Sequence, residues 1–152
     1  DYNAVIIIGR AKATGVMYVL DAWSMKVPAH KALQVAEQKI LEWQPKLFGV
    51  ETIQMQYEFY RQLKENLMQH GIYHTRLKEF IPRGKKEDRI QILEPLFETG
   101  YLRIKKTQRL LLEQLMTFPN GEHDDLPDAL ASCVDLAGKT RKRHHYQKPM
   151  NW

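Results

Sequence analysis

Residues 123–131 read HDDLPDALA. His123, Asp124, Asp125 and Asp128 are crowded together, and Leu126, Ala129, Leu130 and Ala131 are threaded between them. Negative charge is thus gathered at the start of an apolar helix, and two readings compete. In the first, Asp125 caps the helix, its carboxylate accepting the orphan N–H groups of the first turn. Pro127 then fills a first-turn position where no N–H is needed, and Asp128 complements the positive end of the helix dipole. Capping uses one or two carboxylates and leaves Asp124 and His123 unexplained. In the second, the carboxylates hold a divalent cation, as hard oxygen ligands do for Mg²⁺ or Mn²⁺. His123 then transfers protons or ligates metal; the alternative is a loop histidine in an ordinary hydrogen bond.

Glu51 is the other carboxylate placed for chemistry. It closes the apolar run LFGV just before a helical pattern. Ligands of open α/β sheets collect at the carboxyl ends of strands. A strand-end glutamate that merely faces solvent is the competing account.

The elements that must position these groups follow from apolar spacing. AVIII (4–8) is a β-branched run, too short for a helix and rich enough for a buried strand. MYVLDAW (17–23) follows a turn-like KATG, which predicts a hairpin. Ala29, Leu33, Ala36, Ile40 and Trp43 share one helical face, ended by Pro45. KLFGVE (46–51) reads as a third strand. Met55, Phe59, Leu63 and Leu67 mark a second helix, with Gly71 as its C′ residue. IYHTRL (72–77) reads as a fourth strand. Ile90, Leu93 and Phe97 predict a helix closed by Gly100, although Pro95 inside it removes one backbone bond. YLRI (101–104) is a short strand, Leu111 to Phe118 a helix, and Leu126 to about Ala137 the last helix. This order predicts an α/β fold with a mixed sheet, antiparallel at the front and βαβ behind.

With 152 residues the chain can bury a real core, and 43% hydrophobic with 27% charged residues is globular composition. No apolar run approaches a membrane span, and the start lacks the basic region of a signal peptide. The lone Cys133 rules out an internal disulfide or a cysteine-based zinc site and reads as core. The net charge of +5 favours an acidic partner, nucleic acid first. Much of it lies in KTRKRHHYQK (139–148), so residues 139–152 read as a basic tail behind a 1–138 domain. Arg83, Lys85, Lys86 and Arg89 form a second basic patch; DNA contact and a solvated face compete there.

GVETIQMQYEFYRQLKE (49–65), PRGKKEDRI (82–90), LEPLFETGYL (93–102) and LLLEQLMTFPNGEHDDLPDALA (110–131) together resemble the nuclease domain of phage terminase large subunits. The resemblance covers almost the whole chain, and its last block is the most specific. It implies a ribonuclease H-like fold that cuts concatemeric viral DNA during genome packaging, using two Mg²⁺ or Mn²⁺ ions. Glu51 matches the family's strand-end acid. Asp124 and Asp125 match its paired metal-binding aspartates, with His123 before them. Asp128 matches a further acidic position, and Asp1 an accessory one near the metals. The implied partners are double-stranded DNA, the terminase small subunit, the portal protein and the ATPase half, in the cytoplasm of a bacterial host.

The family's first strand, which ends in its principal catalytic aspartate, belongs before Asp1. Its place is between the hairpin and the strand ending at Glu51. The resemblance therefore implies a gap in the sheet, or a filling segment, beside residues 4–9. RGKKED lacks the leading glycine and the hydroxyl residue of a phosphate loop. The rival readings are another ribonuclease H-like nuclease, such as a Holliday-junction resolvase or transposase core, and a catalytically inactive DNA-binding fragment.

Overall fold

The computed structural model describes residues 2–53 and 56–147, the last nine of these as helix backbone alone. Strands β1 (Asn3–Arg10) and β2 (Met17–Met25) form the expected antiparallel hairpin. A bulge interrupts the ladder: Ile7 faces Asp21 and Ile8 faces Val19, so Leu20 has no partner. One extra residue inverts the facing of a strand. Met17 and Val19 on one side of the bulge, and Ala22 on the other, thereby reach the same core, while Leu20 joins the opposite one. The unbroken AVIII run has the same origin. Ile6 packs into one core and Ile7 into the other, so β1 is covered on both faces.

Helix α1 (Ala29–Trp43) ends in a left-handed Gln44, before Pro45. Strand β3 (Leu47–Glu51), helix α2 (Gln56–Gln69) and strand β4 (Arg76–Phe80) make a βαβ unit with β3 and β4 parallel. The fourth strand starts later than its apolar pattern suggests. Ile72 is buried, but as the residue after Gly71 in a helix-ending motif: its N–H reaches the Leu67 carbonyl at 2.9 Å, and that of Gly71 reaches Met68 at 3.2 Å.

The helix expected around Ile90–Phe97 is two short ones, α3 (Lys86–Gln91) and α4 (Leu93–Glu98). Pro95 has no N–H for the Gln91 carbonyl and its ring crowds that oxygen, which accounts for the break at Ile92. Gly100 closes α4 with the same motif as Gly71. Strand β5 (Leu102–Arg103) then pairs parallel with β2, and helices α5 (Arg109–Thr117) and α6 (Asp125–Gln147) follow. The last helix continues past Ala137 as far as Gln147; residues 148–152 lie outside the described residues.

The result is a mixed α/β fold. One sheet has the order β1-β2-β5 and the other is the pair β3-β4, with no ladder between β1 and β3 among the described residues. The interruption beside residues 4–9 is thus present. Side chains span it: Val5 and Ile7 of β1 share a core with Phe48 and Val50 of β3, and with Ala36, Ile40, Leu63 and Leu67 of the helices. The other core joins Ile6 and Val19 to Leu111, Leu126 and Leu130. Cys133 packs against it as expected, and burial pushes its thiol up to about 12. No described helix is long and apolar enough to cross a membrane.

Candidate active site

Glu51 is placed by strand alternation. Phe48 and Val50 point into the core with α1 and α2. Gly49 points the other way, where a Cβ would stand 2.4 Å from the Leu136 side chain of α6. Glu51 shares the parity of Gly49, so it projects on the α6 side from the carboxyl end of β3.

The first turn of α6 meets it there. Asp124 occupies the cap position, its carbonyl accepting the Asp128 N–H at 3.1 Å, and Asp125 is the first helical residue. The expected side-chain cap from Asp125 is replaced by a distant one. The Leu126 N–H donates to Oε1 of Gln114, on α5, at 3.0 Å. Gln114 is buried, and this bond satisfies one of the orphan donors of α6. The carboxylates of Asp124 and Asp128 are left to interact with α3. Lys86 Nζ lies 3.2 Å from Asp124 Oδ1 and 3.9 Å from Asp128 Oδ2. Arg89 donates to Asp128 at 3.0 Å and to the Gly84 carbonyl at 2.8 Å, while its buried Nε has no hydrogen-bond partner.

Electrostatics bind Glu51 into the same group. Burial raises its carboxyl above the ordinary value, the charge of Asp128 raises it further, and Arg89 and Lys86 pull it back. Burial works against the charge of Lys86, but the hydrogen bond it donates to Asp124 and the charges of Asp124, Asp128 and Asp125 outweigh it and leave the ammonium raised. Four carboxylates from a strand end and a helix start are therefore electrostatically linked through one ammonium. Their oxygen chemistry suits a hard divalent cation. As they stand, among the described residues no three metal-ligating side chains are grouped to hold one. The cations within the cluster are the chain's own.

A neutral isostere at Glu51 tests this field. The folded carboxyl keeps its proton to higher pH than the unfolded one. The protein is thus favoured while Glu51 is protonated, and that contribution fades as pH rises from the ordinary value of 4.5 through the raised folded one. Glu51→Gln is expected to raise the melting temperature at neutral pH, with the gain closing below about pH 4. A gain that is the same at all pH values would point to packing instead.

The His123 ring lies 4.5 Å from that of Tyr2, tilted by 45°, with Nε2 4.0 Å from Glu122. Asp1 lies outside the described residues. Arg83 and Lys85 are exposed on the loop before α3, and neither enters an ion pair among the described residues. Sequence reasoning missed Gln114 and the pairing of Lys86 and Arg89 with the aspartates. Gln114 left a trace, a polar residue on the apolar stripe of Leu111, Leu115 and Phe118, which needs a buried partner. It also missed Asp21, which accepts hydrogen bonds from Lys39 at 2.6 Å and from the Trp43 indole at 3.0 Å and so ties α1 to β2.

The fold and site are those of a mixed α/β protein with an acidic cluster at a strand's carboxyl end. No family model matches the chain, and no curated protein matches it.

Proposed function

We propose that this chain is the metal-dependent DNA endonuclease domain of a phage terminase large subunit, with a ribonuclease H-like fold. The observation that carries this reading is Glu51 at the carboxyl end of β3, within electrostatic reach of Asp128 and of Lys86, whose ammonium pairs with Asp124 and Asp128 beside the basic loop 81–85. The sequence blocks that resemble the family assign the same positions. In this reading Glu51, Asp124 and Asp125 hold the ions, with Asp128 and Asp1 as further ligands. Mg²⁺ or Mn²⁺ held there would supply an activated water and offset the negative charge of the phosphodiester transition state. The protein's own part is to bring carboxylates from separate elements to one point and to orient the phosphate. The substrate is concatemeric double-stranded DNA, and the partners are the ATPase half, the small subunit and the portal protein, in the host cytoplasm.

The test is cutting of duplex DNA by the intact protein, with whatever residues precede Asp1. Cleavage is expected with Mn²⁺ or Mg²⁺ and not in EDTA. A second reading, a DNA-binding module without catalysis, is favoured by one observation: Lys86 and Arg89 already neutralise the aspartates. It predicts DNA binding with no cutting in any metal.

Both readings assign affinity to the exposed cations. Neutralising DNA phosphates releases counterions, so binding falls with salt by a slope of about 0.9 per phosphate neutralised. Replacing Arg83 and Lys85 together with alanine is expected to weaken binding to unrelated duplexes alike and to flatten the slope by roughly 0.9 for each phosphate left without its cation. An unchanged slope in a filter-binding salt titration would make the loop a solvated face.

A further inference from the structure

Lys86 opens α3, directly after the basic loop that carries Arg83 and Lys85. Its ammonium is directed at Asp124 and Asp128, and it feels Asp125 as well. Glu51 in turn feels Lys86. Arg89 is differently placed: one nitrogen is anchored on the Gly84 carbonyl, and its side chain is more buried than that of Lys86, 22% against 45% exposed. Of the two cations, Lys86 is the one with room to leave. Lysine also suits an exchangeable role, as a compact charge on a flexible stem without the fork that fixes arginine in place.

We infer that Lys86 is the resident counter-ion of this carboxylate cluster and competes with a divalent cation for it. The inference rests on the metal-dependent reading above. Without metal, the ammonium offsets the mutual repulsion of the acids. A dication entering among the same oxygens meets a like charge a few ångströms away, so the two exclude each other. Lys86 displaced in this way is freed beside the exposed Arg83 and Lys85 in the chain, where it can meet a DNA phosphate.

The test is Mn²⁺ titration of the protein by calorimetry, with no nuclease assay involved. Lys86→Met keeps the aliphatic stem and removes the charge; Lys86→Arg keeps the charge. Lys86→Met is expected to bind Mn²⁺ roughly tenfold more tightly than wild type, since the repulsion between an ammonium and a close dication exceeds thermal energy even in water. Lys86→Arg is expected to stay near wild type. Equal or weaker binding by Lys86→Met, with clear binding by wild type, overturns the role of Lys86 and leaves the metal site standing. No Mn²⁺ binding by any of the three overturns both. The side chain is largely exposed, so all three proteins should fold, and circular dichroism checks this.

Discussion

Glu51→Ala and Asp125→Ala are each expected to cut duplex DNA on the order of a thousandfold more slowly than wild type, a barrier increase of about 4 kcal/mol, while keeping their fold. The size follows from the reaction. A two-ion site works by holding both ions at a fixed spacing, and loss of one carboxylate ligand disturbs ion count and position together. Neither residue is in the hydrophobic core, and Glu51 is charged in a setting that disfavours its charge. Their loss should therefore register as a lost rate without a lost fold, and for Glu51 the melting temperature at neutral pH should if anything rise, as for Glu51→Gln. Asp125→Asn makes the experiment decisive. Asparagine keeps the size of aspartate at this first helical position, where no side-chain cap depends on it, but is a poor ligand for a hard cation. Lost activity in Asp125→Asn supports the metal role, whereas full activity there or in either alanine variant sinks it and returns HDDLPDALA to a charged helix start. Cutting by wild type in EDTA would sink it equally.

Gly49→Val is expected to destabilise the protein by about 1–3 kcal/mol, the usual cost of overpacking, and to lower its melting temperature by several degrees. Valine is otherwise at home in a strand. The obstacle is steric. A Cβ at this position would stand 2.4 Å from Leu136 Cδ1 and 3.2 Å from the Phe80 ring. Either α6 moves away from β3 or the leucine leaves its place. Adding Leu136→Ala should restore much of the loss, because neighbours that share one space are not additive. Strict additivity in the double mutant would show that the strain lies elsewhere. Weakened Mn²⁺ binding in Gly49→Val alone would show that the same packing sets the position of Glu51 against the aspartates.

Local rules made much of the fold legible. The AVIII run, the face of α1, and the glycines at 71 and 100 each carry their signal within a few residues. What stayed hidden depends on partners far along the chain. IYHTRL looked like strand because Ile72 is apolar, whereas its burial serves the end of α2. The bulge at Leu20 shows only once β1 lies beside β2. For the site, residue type and resemblance singled out Glu51 and the aspartates together. The basic patch gave no sign that it would divide. Lys86 and Arg89 turn inward to acids 38 and 39 residues away, while Arg83 and Lys85 stay outside. Four nearby cations look alike in sequence, and only the path of α3 separates them.

The missing ladder between β1 and β3 has a mechanical consequence. Hydrogen-bonded strands keep a spacing of about 4.8 Å because each bond has a steep preferred length. Here the two halves meet through Val5, Ile7, Phe48 and Val50 and through Leu136 over Gly49, surfaces whose attraction varies gently with small slides. Glu51 rides on one half, and the aspartates ride on the helix packed against the other. The gauge between them is thus set chiefly by packed apolar side chains, with the Asp21 hydrogen bonds from Lys39 and Trp43 as a polar tie. Small adjustments of it cost little, so Glu51 and the aspartates can shift slightly relative to one another without breaking a backbone hydrogen bond between the two sheets.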